Sequence, residues 1–565
     1  MFDLQSLWGV GLTLLVAIAV APFVGEYLSR VYTNRPAFGD VLLGPVERGI
    51  YRLLGTSPRR SMPAREYMAA VLLVNGALWG FLFLFLLQQG AIPPDPTGAP
   101  GMGWTLAFHS ASSFTTNTDF THFTNETQLS EAALTIAWPV ALFLSPATGL
   151  AAFAAMVRGF ARRDGTLGNF YVDLVRTVGR VLLPISVVGA LLFVAMGVPE
   201  TLRGLLEVHP LLGGTQPIFL GPVASFQSIS LLGTNGGGFY SANMASPLAN
   251  PSAVSNLYGT FLMLLLPISS PFAFAGIVRR RSEAWPYLGT VLIVLLVALA
   301  LFLFYQAAAN PALLGIPGLV QGTGYPVGQE LRFGLPGASA FQVVSVYANV
   351  GANNMAIGAI SPGAQMVLLF GMFTQSTPGG AGTGFGMLLL FAVLAIFVGG
   401  LMVGRTPEYL GKKIETGHVK WSALALLLHP ALILVPAVVA IVGGFVVVDG
   451  ATLAVSAHTF TAVVYEFTSE SANNGSALSA GAFNDATPFF NLAGGVVMLL
   501  GRFVPIYAML RVGEMFSRQR PNPPGPGTLK TASGTFTVYL ALFLIVTSAL
   551  LFLPILAMGP LAQIL

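Results

Sequence analysis

The sequence contains no cysteine, which excludes disulfides, thiolate metal centres and cysteine nucleophiles. Charge is scarce as well. Only 8% of the 565 residues are Asp, Glu, Lys or Arg, where a soluble domain carries about 25%. So thin a charged set cannot cover a water-soluble protein of this length, which excludes a cytosolic enzyme and a nucleic-acid binder. Disorder is excluded too, because it requires low hydrophobicity and 54% of these residues are hydrophobic. There is no G-x-x-x-x-G-K-[ST] phosphate loop, no D-K-T-G phosphorylation motif and no soluble stretch long enough for a nucleotide domain. No metal-binding spacing links His109, His122, His209, His418, His429 and His458, which read as scattered structural residues.

Apolar sequence is what abounds. A membrane-crossing helix needs ~20 mostly apolar residues. Such runs fall at roughly 7–24, 67–88, 132–157, 178–198, 256–278, 285–308, a broken run over 363–404, 421–447, 488–511 and 535–557. The first lacks a basic leader and a small-residue cleavage site, so it reads as a retained helix. Basic residues gather in the segments after alternate spans. Arg30, Arg35, Arg48, Arg52, Arg59, Arg60 and Arg65 follow the first. Arg158, Arg162, Arg163, Arg176 and Arg180 follow the third, and Arg279, Arg280 and Arg281 the fifth. Arg405, Lys412, Lys413 and Lys420, then Arg511, Arg518, Arg520 and Lys530, complete the same side, while Arg203 and Arg332 lie opposite. The positive-inside rule makes the crowded side cytoplasmic and, with ten spans, puts both termini outside. These loops are topology signals that also offer contacts to anionic lipid head groups or a partner chain.

The opposite side carries four short, semi-apolar stretches, at about 105–116, 219–232, 336–348 and 455–469. They are too short to cross and too apolar for exposed loops, which suits re-entrant half-helices buried in protein. They align with one another on Thr118, Gly236, Gly351 and Gly475, at intervals of about 120 residues. Ten residues before each anchor stands an aromatic (Phe108, Phe226, Phe341, Tyr465), followed by a polar residue (His109, Gln227, Gln342, Glu466). Six before each stands a serine: Ser112, Ser230, Ser345 and Ser469. The unit is span, half-helix, polar Gly loop, span.

The expected fold is therefore an all-α polytopic membrane protein of ten transmembrane helices, with four such repeats around a pseudo-fourfold axis. The expected divisions are 1–60, an N-terminal extra helix and inner loop; 61–175, 176–282, 283–418 and 419–515, pore repeats one to four, the third with a broken second helix; and 516–565, a connector and C-terminal extra helix. Its polar part, Arg518 to Gly527, reads as a stiff linker.

A stretch without helical bonds leaves carbonyls free, and around a watery axis these can replace a cation's hydration shell. Glycine lets the backbone turn them inward, and helix C-termini add partial negative charge. The candidate filter is Thr115, Thr116, Asn117 and Thr118; Gly233, Thr234, Asn235 and Gly236; Ala348, Asn349, Val350 and Gly351; Ala472, Asn473, Asn474 and Gly475, with the four serines bracing it. Carbonyl rings suit K⁺, and no ring of four acids indicates a divalent ion. Asp119 and Glu470 either raise the local cation concentration or are solvated mouth residues. Thr118 departs from the glycine pattern of the other anchors.

These loops resemble those of the potassium-binding, channel-like subunit family of the bacterial Kdp potassium-transporting ATPase, in the superfamily of potassium transporters. Length, ten spans and four repeats agree over essentially the whole chain, and that family's first repeat is likewise Thr-Asn-Thr without glycine. The resemblance implies a high-affinity K⁺ uptake pump of the inner membrane in which this chain selects K⁺ and carries no catalytic residues and no nucleotide. It implies as partners an ATP-hydrolysing P-type subunit, a small single-span accessory subunit, a very small membrane peptide and membrane lipid. The alternative is an autonomous K⁺ channel or cation-coupled symporter. The resemblance further implies an intramembrane loop below the filter, over Gly371, Gln375, Gly379, Gly380, Gly382 and Gly384, that gates the pore; a static packing kink is the competing reading. Arg502, inside the last repeat's second span, is either a fixed positive charge in the pore or a snorkelling anchor.

Overall fold

A computed structural model describes residues 4–95, 98–308, 328, 330–404, 406–478, 483–523 and 529–564. Arg405 and the 524–527 part of the linker lie outside these residues. Ten helices are long and apolar enough to cross a membrane: Leu4–Tyr32, Ala64–Ala91, Ala133–Ala161, Phe170–Ala195, Ala253–Ile277, Arg281–Ala307, Thr383–Met402, Thr416–Val442, Pro488–Ser517 and Gly534–Ile564, here spans 1 to 10. A separate helix, Pro362–Thr374, precedes span 7, so the broken run over 363–404 is two helices with a polar break between them.

Local chemistry sets the ends. Ser252 and Ser255 form a reciprocal capping box at the start of span 5, and the Ser533 hydroxyl accepts from the Phe536 amide at the start of span 10. Proline shapes the interiors. A π-helical turn, Ala133–Ala137, leads into Pro139 and another, Thr177–Leu182, into Pro184. Pro lacks an N–H and crowds the preceding turn, and a widened turn accommodates both.

The spans sort into an inner and an outer set. In the most apolar window of spans 3 and 5, 83% of residues are buried, against 17% in span 1. Inner spans meet protein on most of their surface, and outer ones show lipid-compatible side chains such as Trp8, Phe23 and Leu550. Four half-helices sit between spans on the sparsely charged face: Trp104–Thr115, Val223–Leu232, Gly334–Tyr347 and Ala457–Ser471. Span 3 seats the first of them, where Phe114 stacks on Trp138 with centroids 3.7 Å apart.

Two features were not expected from sequence. Three two-stranded hairpins occupy loops, the longest pairing Leu205–Val208 with Gln216–Phe219. A helix at Asp40–Leu53 leaves Val41, Leu42 and Leu53 exposed while Glu47 and Asp40 pair with Arg180. A polar anchor on one side and an open apolar face on the other describe an interfacial helix.

Candidate functional site: a ring of four loops with a polar break beneath it

Each half-helix ends in the same backbone sequence of turns. A left-handed residue comes first: Asn117 (φ 64°), Thr234 (52°), Asn349 (47°) and Asn473 (53°). Two residues later comes another: Asp119 (53°), Gly236 (84°), Gly351 (82°) and Gly475 (96°). The residue between them sends its N–H back to a serine carbonyl in the half-helix. These bonds run from Thr118 to Ser113 (3.0 Å), Asn235 to Ser230, Val350 to Ser345 and Asn474 to Ser469 (each 2.8 Å). The same serines brace the strand beyond. Ser113, Ser230 and Ser345 donate through Oγ to the carbonyls of Phe120, Gly237 and Ala352 at 2.8, 2.8 and 2.6 Å. Ser469 Oγ instead accepts the Gly475 amide at 3.0 Å.

This geometry corrects the first repeat by one residue. Asp119, not Thr118, is the counterpart of Gly236, Gly351 and Gly475. His109 takes the aromatic position given to Phe108, and Ser110 the polar position given to His109. Ser113 has the seat given to Ser112, which donates to the Phe108 carbonyl and accepts from Trp79 Nε1. Thr115 becomes the last residue of the half-helix. Thr118 is no departure: its counterparts are Asn235, Val350 and Asn474, and the residue standing in a glycine place is Asp119. Aspartate is among the few side chains that enter the left-handed region readily.

The four turns close into a ring. A Cβ on Gly236 would collide with the Val350 carbonyl, one on Gly351 with the Asn474 carbonyl, and one on Gly475 with the Thr118 carbonyl. Asp119 packs against Gly237 and completes the circuit. Side chains at the first left-handed position stitch neighbours together. Asn117 Nδ2 donates to the Thr234 carbonyl (2.6 Å), Asn349 Nδ2 to the Ala472 carbonyl (3.1 Å), and Asn473 Nδ2 to Thr118 Oγ1 (3.0 Å). Thr234, too short to bridge, accepts the Ala381 N–H at 2.8 Å and so ties the ring to the polar break before span 7.

That break lies directly beneath. Gln375 ends the preceding helix in a left-handed conformation, and Gly379 and Gly382 have φ of 69° and 76°. The Gly379 amide donates to the Tyr347 carbonyl at 2.8 Å. Gly384 packs on Gly379, while Gly380 has room around it. Gly371 lies apart from the break, within the helix, against the Tyr347 ring. Arg502 is 6% exposed, which removes the snorkelling reading. Its guanidinium donates to the Ser145 carbonyl (2.9 Å) and to Thr383 Oγ1 (3.2 Å). A cavity of about 30 Å³ is walled by Asn117, Asn349, Asn473, Gln375, Gly380 and Arg502, among others. It has room for a water-sized particle.

Behind the ring, the histidines are not all scattered. The His109 and His122 rings stack at 3.6 Å, His109 Nε2 lies 3.2 Å from Glu470 and His122 Nε2 lies 2.9 Å from Glu466. All four are buried, as is Asp119, so Glu470 and Asp119 are not solvated mouth residues. The turn spacing that brings these side chains together spans distant repeats, and no local motif announces it.

Comparison with known proteins agrees with this geometry. A family model described as potassium-transporting ATPase A subunit matches residues 11–565. Curated relatives named potassium-transporting ATPase potassium-binding subunit include one from Nostoc sp., 38% identical over 99% of this chain and 98% of its own length. Another, from Alicyclobacillus acidocaldarius, is 40% identical over 99% of both chains. The crystal structure of the potassium transporter TrkH from Vibrio parahaemolyticus superposes with a TM-score of 0.52 at 16% identity, over 90% of this chain and 98% of that one, a likeness of fold.

Proposed function

The chain belongs to the potassium-transporting ATPase A subunit family, and from that premise we propose that it binds K⁺ in the four-loop ring and hands it to an ATP-hydrolysing partner for uptake. The observation that carries this reading is the ring itself: four non-helical turns in cyclic contact, each with a carbonyl between two left-handed residues. Alternating left-handed residues steer successive peptide groups, and rings of carbonyls replace the hydration shell of K⁺. A K⁺ ion in the ring favours the ionised form of the buried Asp119 carboxyl beside it, and that charge in turn favours a cation over an anion.

The rest of the pathway follows from what lies underneath. The polar break is tied to the ring through Thr234 and to Arg502 through Thr383. It closes the ring's inner end and gates it by moving. Arg502 presents a fixed positive charge that opposes straight passage and turns K⁺ sideways towards the partner. Small accessory subunits complete the complex. It resides in the inner membrane with the basic face cytoplasmic and both termini outside.

The test is rubidium or K⁺ uptake in cells lacking other potassium uptake systems. The chain is expressed alone and with its P-type partner, before and after ATP depletion. Uptake that needs both partner and ATP is expected. Equal uptake by the chain alone would make it an autonomous channel or symporter.

A further inference from the structure

Spans 1, 3 and 5 end around one hollow on the basic face. Its wall is completed by Leu410 and Lys412 of the hairpin after span 7 and by Pro521 after span 9, and it encloses about 520 Å³. That is within the roughly 300–1,000 Å³ of small-molecule sites. Arg35, Arg158, Arg162, Arg163, Arg279, Arg280 and Lys412 line it, and no Asp or Glu does.

Elsewhere on this face some arginines are matched: Arg180 by Asp40 and Glu47, Arg511 and Arg518 by Glu514, Arg60 by Glu66. Arg48, Arg52, Arg59, Arg65 and Arg281 stand singly on exposed surface. The hollow differs in gathering its cations around one concavity. Around the hollow, Asp173 pairs with Arg158, and Glu26 stands 3.8 Å from Arg35. Of the cations that line the hollow, Arg162, Arg163, Arg279, Arg280 and Lys412 have no carboxylate within 4.0 Å among the described residues.

Helix ends offset part of this charge. Each helix C-terminus supplies about half a negative charge. Three such ends and two carboxylates set against seven cations leave an excess of about three and a half positive charges in the hollow. Burial, and after it the neighbouring charge of Arg163, push the Lys412 ammonium down to about 8.

Two buried cations of the wall are held in place. Arg158 is held by the Leu167 carbonyl (2.7 Å), the Tyr32 carbonyl (3.1 Å) and Asp173. Lys412 Nζ is held by the carbonyls of Phe516 (2.7 Å), Arg162 (2.9 Å) and Gly159 (3.3 Å). Those bonds use all three Lys412 N–H groups, so Lys412 contributes charge, and the donors open to a ligand are the guanidinium groups of Arg163, Arg279 and Arg280, whose planar forks match tetrahedral oxyanions.

We propose that this hollow binds a phosphate-bearing ligand carrying at least two negative charges. Two sources share that chemistry: the head group of a two-phosphate anionic lipid in the adjoining leaflet, and a soluble di- or triphosphate.

The experiment uses the complex purified with its ATPase subunit in phosphatidylcholine nanodiscs. One arm titrates inorganic pyrophosphate by calorimetry. The other compares thermal stability in phosphatidylcholine alone with phosphatidylcholine containing cardiolipin. The probe variant is Arg163→Gln with Arg279→Gln; both side chains are exposed and unpaired, so folding is spared. Arg203→Gln on the opposite face is the control.

Binding in either arm, weakened at least about tenfold by the double variant and unchanged by the control, is expected, and the responding arm names the source. Absence of binding in both arms, or equal binding by the double variant, overturns the proposal. If phosphate is ignored but the double variant no longer co-purifies with the ATPase subunit, the hollow belongs to an acidic segment of that partner instead.

Discussion

A single atom decides what each glycine turn of the ring tolerates. At Gly351 the Asn474 carbonyl occupies the place of a Cβ, and φ is 82°. Gly351→Ala therefore has two costs, strain and collision, and the neighbour that must give is backbone of the adjacent repeat. K⁺-stimulated ATP hydrolysis by the purified complex is expected to lose at least about a hundredfold in apparent K⁺ affinity, since misplacement of a ligand by ~1 Å costs on that order. Unchanged affinity would mean that the ring is not the binding site. Asp119 provides the converse case, because asparagine also enters the left-handed region. Asp119→Asn is expected to keep thermal stability while weakening apparent K⁺ affinity about tenfold through loss of one nearby charge. Equal affinity would make the carboxylate a backbone device only. The same position shows where sequence reading stops. Phe108 and His109 are both aromatic, and Ser112 and Ser113 are both serine, so the first repeat aligns acceptably in two registers. The bonds from Thr118 N to Ser113 O and from Ser113 Oγ to Phe120 O choose between them.

The element that couples ring and interior is the break before span 7. Composition marked it, since a Pro-Gly-Gly-Ala-Gly-Thr-Gly run cannot continue a helix, but not its attachments, which come from remote repeats. Gly382→Ala is a poor probe of stiffness, because φ is 76° and a Cβ would strike Leu150 and Gly149 backbone. Gly380 lacks both obstacles, its nearest neighbour being 3.5 Å from an added Cβ. Gly380→Ala is expected to leave melting temperature unchanged and slow ATP-coupled uptake; normal uptake in a well-expressed variant would make the break a static kink. Thr234→Val removes the acceptor for the Ala381 amide at constant shape. It is expected to alter uptake, and Thr234→Ser to restore it. The hairpin bearing Lys412 makes a pH statement. The unfolded chain holds a lysine proton up to about 10.4, and the folded one only to about 8. Between those values the unfolded state binds more protons, so stability rises with pH there and is flat below. Lys412→Met is expected to flatten that part of the melting-temperature profile, and an unchanged slope would show that Lys412 is not its source.

Across the whole molecule the two faces differ in charge, and Arg502 stands between them. The ring lies on the face with few charges, and the cations crowd the other. The pattern of apolar runs and basic clusters made this polarity legible in the sequence, whereas the depth of Arg502 was not: Leu500-Gly501-Arg502-Phe503 suits an interfacial anchor equally well. Its bonds to the Ser145 carbonyl and Thr383 place the charge beside the small cavity under the ring. A buried cation there repels an entering K⁺ strongly, because the surroundings screen poorly. Removing it lowers the barrier to straight passage without touching the ring. Arg502→Ala is therefore expected to admit rubidium in ATP-depleted cells, a downhill leak absent from the wild type, while apparent K⁺ affinity changes little. Arg502→Lys keeps the charge and is expected to remain tight. A variant that still takes up rubidium only with ATP would show that Arg502 holds the break in place and takes no part in blocking the pore.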